Sequence, residues 1–441
     1  MRAGVLLVLA GLTLGAGGCS GLSAADRGPR GDPIARLTVS APAPWREDFG
    51  DPMLRDLLRQ ADAGALDTKV ALARLAKADA EVEAADAVRG VNVFAGVASA
   101  VGGRTFRTAG SAATPTLEIS NEVDVWGRIK RSREAARSEQ GAATSDAMAV
   151  RLQVGALTAR TYLAVRAAQA DVAATLRRRD LAQRSLDLVR TRFVQGAATS
   201  RDVEARRLAV DAARDQALKA ADDVRLQAAR LGDLTGRSVE VPAPAGPLDL
   251  GDRSGPVPST VVDARPDVRA AQARIAAADQ HRASAIAASR PQFQIAAAFG
   301  SPDAAIATLL DVRALAWAVA GTVSHQILDG GARRAKVHIA TAEADLADLA
   351  YRQTVLDAWN EVRVALAADA EARRGLAAAS ANARLAEGAL QVGLTRRAAG
   401  AADGLAILAL EDAADQARDA ASRAHLHVAE SRVQLALATG G

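Results

Sequence analysis

The chain repeats itself with an offset of 204 residues, and this constrains the fold more than any other feature. Asp124-Val125-Trp126-Gly127-Arg128 is echoed by Leu328-Asp329-Gly330-Gly331-Ala332, and Gly196-Ala197-Ala198 by Gly400-Ala401-Ala402. The segment Gly127 to Phe193 is 67 residues of Pro-free helical pattern, and its counterpart 331–397 has the same length. At ~1.5 Å per residue such a helix spans ~100 Å, which no compact domain accommodates. Upstream, Val88-Arg89-Gly90 corresponds to Ser289-Arg290-Pro291 at an offset of 201, so the segments between differ by three residues.

Those intervening segments alternate with period two, the signature of strands with one apolar and one polar face. Leu117, Ile119, Val123 and Val125 oppose Glu118, Ser120, Glu122 and Asp124. Phe293, Ile295, Ala297 and Phe299 oppose Gln292, Gln294, Ala296 and Ala298. Val91, Val93, Ala95 and Val97 alternate less cleanly with Asn92, Phe94 and Gly96. Trp317, Val319, Gly321, Val323 and Ile327 form the fourth apolar row. The fold class is therefore mainly α with a β part, built from a duplicated unit of helix, β-hairpin, very long helix, Gly turn and shorter return helix.

The first unit covers 53–235, with strands at about 90–101 and 114–125, the long helix 127–193 and the return helix 201–234. The second covers 264–438, with strands at about 291–300 and 316–328, the long helix 331–397 and the return helix 404–438. The segment 236–263 carries Pro242, Pro244, Pro247, Pro256 and Pro258 and reads as a linker. No segment after the N-terminus approaches ~18 uninterrupted apolar residues, so a membrane span would have to be made of strands. Four strands cannot close a barrel, and open edges are not tolerated in lipid, so closure demands several chains. Apolar outside and polar inside then describes a transmembrane barrel with a wet lumen. Trp126 and Trp317 lie at opposite strand ends, where membrane-interface aromatics belong, although ordinary packing explains either one alone.

Composition fits long, closely packed helices. The chain is 49% apolar yet only 3% aromatic, and Ala dominates. A formal charge of +4, from 55 basic and 51 acidic residues, is too balanced for a nucleic-acid surface. The single Cys excludes an intrachain disulfide. It follows Met1-Arg2, an apolar run from Val5 to Leu14, and Gly15-Ala16-Gly17-Gly18. That is a signal peptide, residues 1–18, ending in small residues before Cys19. The motif resembles a bacterial lipobox, with Ala16 where Leu is usual. Cys19 is thus the expected lipidation site, heading an N-terminal arm over 19–52. Ser20, in place of Asp, points to the outer membrane.

From Trp45 onward the chain resembles the TolC-type outer-membrane efflux proteins, in their NodT-like lipoprotein branch. The residues carrying the resemblance are Trp45 with Phe49-Gly50-Asp51-Pro52-Met53-Leu54, and Asn121-Glu122-Val123-Asp124-Val125-Trp126-Gly127-Arg128. Ala264-Arg265-Pro266-Asp267-Val268-Arg269-Ala270-Ala271 and Ile327-Leu328-Asp329-Gly330-Gly331 complete the set. The resemblance implies a homotrimer: a 12-stranded barrel in the outer membrane of a Gram-negative bacterium, continuous with a periplasmic α-helical barrel. It implies a passive exit duct for small amphiphilic compounds or drugs, docked by a periplasmic adaptor and an inner-membrane pump of the resistance-nodulation-division type. The exit duct of a type I protein secretion system remains an alternative, as does a structural coiled-coil envelope lipoprotein.

The same resemblance places adaptor-docking tips at Val194, Gln195, Gly196 and Ala197 and at Gly400 and Ala401. In the type member, an Asp six residues after the first tip Gly pairs with an Arg two after the second, and Asp residues six and nine after the second form an acidic ring. Here Asp202 is present, but Ala402, Ala406 and Ala409 occupy the other positions. Asp202 is expected to pair locally with Arg206, with closure resting on Leu405 and Leu408 or on Asp403, weak cation selectivity, and no cross-helix latch. No phosphate loop, His-Glu-x-x-His or nucleophile elbow is found, and His425 and His427 do not share a helix face. No enzyme, metal or cofactor is expected beyond the covalent lipid, and no nucleic acid.

Overall fold

The computed structural model describes residues 50–102, 110–242, 248, 261–300 and 316–441. The 1–18 leader, Cys19, Trp45, Phe49 and nearly all of the 19–52 arm lie outside the described residues, as does most of the 236–263 linker.

The described chain opens with α1 (Pro52–Gly64) and α2 (Leu66–Ala87). Asp51 caps α1, its carboxylate accepting from Met53 N at 2.9 Å and Leu54 N at 3.3 Å, with Pro52 in the first turn. The continuous helical pattern expected from Met53 to Arg89 is broken at Ala65, whose extended backbone separates the two helices. Leu54, Leu57, Leu58 and Ala61, at i, i+3, i+4 and i+7, form the buried stripe of α1.

Strands β1 (Asn92–Gly102) and β2 (Gly110–Val123) form the first hairpin, followed by α3 (Arg128–Val194) and α4 (Ser200–Thr235). The second unit comprises α5 (Val261–Ala264), α6 (Pro266–Ala288), β3 (Gln292–Gly300), β4 (Ala316–Ser324), α7 (Ala332–Ala398) and α8 (Gly404–Thr439). Both long helices have 67 residues and both return helices 36. Two strand ends fall short of the expected positions. β2 stops at Val123 rather than 125, and β4 at Ser324 rather than 328. The physical reason is the turn into the long helices: Asp124 accepts from Ile129 N and Lys130 N, and Asp329 from Gly331 N and Arg333 N. An aspartate turned to a helix N-terminus leaves the strand ladder.

The four strands form one antiparallel sheet in sequence order. Its register stacks Val93, Ile119, Ala297 and Val319 in one row and Val123, Phe293 and Val323 in another, all on the apolar face. Asn92, Ser120, Ala296 and Ala320 lie on the opposite face, as do Glu122, Gln294 and Thr322. Phe94 is the exception on that polar face, folded over Gly96.

The helices stand side by side. α3 packs against α2, α6, α4 and α8, whereas α7 packs against α6 and α8. Ala is the commonest buried residue on α3 and α7, as at Ala135, Ala142, Ala159, Ala340, Ala358 and Ala365. Small contacts bring helix axes close, which is the use this chain makes of its alanine. The bulkier core lies where α1 meets α3: Leu54, Leu57 and Leu58 contact Leu152, Ala156, Tyr162, Leu163, Leu231 and Val433. Burying each such leucine contributes about 1.5–3 kcal/mol.

Candidate functional site: the helical tips and the strand-to-helix junction

The two tips have the same backbone construction. Gly196 has φ 75° and Gly400 φ 73°, and only glycine enters that left-handed region without steric cost. The amide of Ala197 reaches back to Arg192 O at 2.8 Å, and that of Ala401 to Arg396 O at 2.8 Å. Each long helix thus ends in a Schellman-type closure. Val194 is 86% exposed at the first tip, and Gln195, Gly196, Ala197, Gly400 and Ala401 are exposed as well.

The return helices start differently. α4 has a capping box: Asp202 N donates to Thr199 Oγ1 at 3.2 Å, and Thr199 N donates to Asp202 Oδ2 at 2.9 Å. Hydrogen bonds from the Thr199 hydroxyl and amide hold the Asp202 carboxyl below its ordinary value, with Arg206 and Arg201 adding only weaker attraction. The expected Asp202–Arg206 pair is therefore not the main interaction. Thr199 outcompetes Arg206 because it already sits at the helix start, with no long side chain to order. At the second tip Asp403 occupies the N-cap of α8 but caps nothing with its side chain. Its carboxylate instead binds Arg192 of α3. A cross-helix contact between the two hairpins thus exists where none was expected.

That contact is the lowest rung of a ladder. Going up the α3–α8 seam, Arg184 pairs with Glu411 at 2.7 Å, Arg177 and Arg178 both reach Asp419, Arg423 pairs with Asp171 at 3.2 Å, and Arg160 with Glu430 at 3.5 Å. Acids at 403, 411 and 419 recur every eight residues, so each successive rung is turned by ~80° round α8. The apolar contact near the tip comes mainly from residues other than Leu405 and Leu408, both only half-buried. Ile407 is 1% exposed and packs with Leu410 over Gly393, where an added Cβ would lie 3.2 Å from Ile407 Cδ1. Gly404 likewise lies against Leu188. The signal available in the sequence was the glycine pair: Gly393 of α7 faces Ile407 and Leu410 of α8, and Gly404 of α8 faces Leu188 of α3.

The junction is the second constructed region. Trp126 Nε1 donates to Pro291 O at 2.8 Å, and the Arg290 guanidinium lies 5.5 Å from the ring centroid. Trp317 is 72% exposed, in the row of the apolar face that also holds Leu117 and Phe299. Arg128 grips Glu122 with two bonds, at 3.0 and 2.6 Å. Arg333 and two backbone amides hold the Asp329 carboxyl down to about 2.

A third site anchors the start of α1. Asp51 accepts from Tyr162 Oη at 2.6 Å and from Arg166 at 3.3 Å as well as from its own helix. Burial, then the hydrogen bond to Asp51, pushes the Tyr162 phenol up to about 12. Among the described residues no group of His, Cys, Asp and Glu side chains is arranged to hold a metal ion.

The sequence matches the outer membrane efflux protein family over residues 57–237 and 257–441. It is 29% identical to outer membrane protein OprJ of Pseudomonas aeruginosa, over 81% of this chain and 77% of that one. It is 27% identical to the pyoverdine export outer membrane protein OpmQ of Pseudomonas putida, over 90% of this chain and 87% of that one. The solved structure of CusC superposes with a TM-score of 0.81 at 21% identity, covering 92% of this chain and 96% of that one. The chain belongs to the outer membrane efflux protein family. It is an outer-membrane efflux channel.

Proposed function

We propose that three copies of this chain close into one duct, a 12-stranded barrel continuous with a helical barrel, serving as the passive exit of a tripartite efflux system. The observation that carries this reading is the exposed apolar row of α7. Ile339, Leu346, Leu349, Leu356, Leu385 and Val392 are each more than half exposed. At ~100° per residue they lie roughly opposite Ala340, Ala358, Val362 and Ala365, which are buried against neighbouring helices. A helix covered on one side and apolar on the other is a stave of a wall, awaiting the next stave. On α4, Leu208, Leu218 and Leu226 are exposed, with Leu208 and Leu226 five full turns apart on one face, and offer the complementary surface at the other edge. The β1 and β4 edges need partners in lipid for the same reason. A head-to-tail contact of this kind closes a ring when the rotation permits.

In this reading the apolar sheet face meets lipid and the polar face lines the lumen. The tips at Gly196–Ala197 and Gly400–Ala401 meet a periplasmic adaptor, and an inner-membrane pump of the resistance-nodulation-division type supplies the energy. The exported compounds are small amphiphiles, and the duct itself performs no catalysis. Cys19 carries the lipid. From Cys19 to Asp51, 32 residues reach at most ~110 Å when extended. Asp51 is held at Tyr162, 34 residues down α3 from Arg128, or ~50 Å. The tether is therefore long enough for its lipid to reach the membrane.

The test is the oligomeric state of the purified protein. Wild type should be trimeric by light scattering, and Leu349→Glu/Leu356→Glu should be monomeric and inactive in efflux while keeping its helicity. A double variant that stays trimeric would refute the assignment of α7 as the closing edge.

A further inference from the structure

One level of the fold is rich in cations. The periplasmic ends of the four strands and the adjoining helix turns, residues 86–92, 120–134, 279–292 and 322–336, hold ten Lys and Arg against six Asp and Glu.

Within this collar lies a cavity of about 570 Å³ between the end of α6, the ends of β3 and β4, and the first turn of α7. Arg290, His325, Arg333 and Lys336 line it, with Ser289 and Gln292. The size is that of a small-molecule site. Gln292 pairs with Ser324 in the register, and both continue the face of Gln294 and Thr322, so the cavity opens on the polar side of the sheet.

The carboxylates nearby are already committed. Glu122 is held by Arg128, Asp124 by two amides at the start of α3, and Asp329 by Arg333 and two amides at the start of α7. The cations are not matched. Lys336 is exposed and has no ion pair among the described residues. Among the described residues the Arg290 guanidinium meets only the face of Trp126. Arg333 directs Nη1 at the His325 ring, 3.3 Å from Nε2. Cations lining a concave, partly enclosed recess focus potential and concentrate counter-ions there.

We infer that this recess is an anion-binding subsite in the lumen wall, holding the carboxylate, sulfonate or phosphate of an exported organic anion. Arg290 and Lys336 supply the charge, and Ser289, Gln292 and Ser324 the neutral hydrogen bonds. The inference rests on the efflux-duct reading and narrows its substrate class to include anionic amphiphiles.

The probe is pyranine, a trisulfonated fluorophore, followed by anisotropy with the full-length protein in neutral detergent micelles. Arg290→Ser/Lys336→Gln should weaken pyranine binding by about tenfold. Arg207→Gln/Lys219→Gln, which removes the same charge from α4, should leave it unchanged. Lys336→Gln alone, which spares the contact with Trp126, should lose part of the affinity and guards against misfolding of the double variant. Equal binding by wild type and the collar variants, or an equal loss in the α4 control, would overturn the subsite. So would displacement of pyranine by added phosphatidylglycerol but not by citrate, which would assign the recess to a lipid headgroup. Reversal potentials in planar bilayers separate this from the duct reading: dye binding without conductance would sink the duct and keep the site, and conductance without selective dye binding would do the reverse.

Discussion

The contact between Arg192 and Asp403 ties the lower end of α3 to the first residue before α8, so its loss should loosen the periplasmic end of the duct. The magnitude follows from its surroundings. The two side chains are 29% and 50% exposed, which places the pair with surface ion pairs worth about 0.2–1 kcal/mol. Asp403 makes no capping bond to its own helix, so its replacement removes the inter-helix contact and little else. If opening separates the pair in all three copies, the open state gains roughly 0.6–3 kcal/mol, or about 3- to 140-fold in population. The assay is the open probability of purified channels in planar bilayers. Asp403→Arg and Arg192→Asp should each raise it, and the swapped double variant should bring it back toward wild type. Raising KCl from 0.1 to 1 M should raise wild-type opening, because salt screens exposed pairs, and should change Asp403→Ala much less. A double variant as leaky as either single, or Asp403→Ala channels no more open than wild type, would refute the role of this contact.

Further expectations concern the tips, the α1 anchor and the lipid. Replacing Ala197 and Ala401 with Arg should abolish drug resistance while leaving trimer and expression intact; unchanged minimum inhibitory concentrations would argue against docking at the tips. Thr199→Ala should cost about 0.5–2 kcal/mol at the start of α4 by removing the cap, measured as faster amide exchange confined to residues 200–204, whereas Asp202→Ala should leave channel gating unchanged. Because the Tyr162 phenol is raised to about 12 in the folded chain, its contribution is complete below pH ~10 and lost as pH rises from ~10 to ~12. Tyr162→Phe should flatten that part of the denaturation curve, and an unchanged alkaline slope would contradict the burial argument. Mass spectrometry of membrane-extracted protein should find residues 1–18 absent and Cys19 acylated.

The elements were legible in the sequence because each rests on local physics. The 204-residue repeat, the Pro-free helical runs and the period-two windows follow from the period of the side chains along the backbone, and the two pairs of equal-length helices follow from the repeat. The tip turns were legible for the same reason, since Gly196 and Gly400 are required by the left-handed backbone. The break at Ala65 was not, because alanine is a good helix former; there Ala65 packs against Val154 of α3 while Gly64 lies against the Thr235 backbone of α4. The short ends of β2 and β4 were hidden as well, since Val125 and Ile327 keep the alternation beyond the last ladder residues, Val123 and Ser324.

Which charges meet across elements was decided by tertiary structure alone. Asp202 is not such a case: Thr199, three residues before it, completes a capping box that local spacing already signals. Arg192 and Asp403 are 211 positions apart, and no pattern along the chain brings them together. The choice of α3 rather than α4 as the neighbour of α8 makes that contact and the whole ladder above it. A sequence fixes the period and sign of its charges through nearest neighbours on one element. Partners across elements depend on which helix faces pack, and that is settled by the burial of Ile407 over Gly393 and of Leu54, Leu57 and Leu58 against α3.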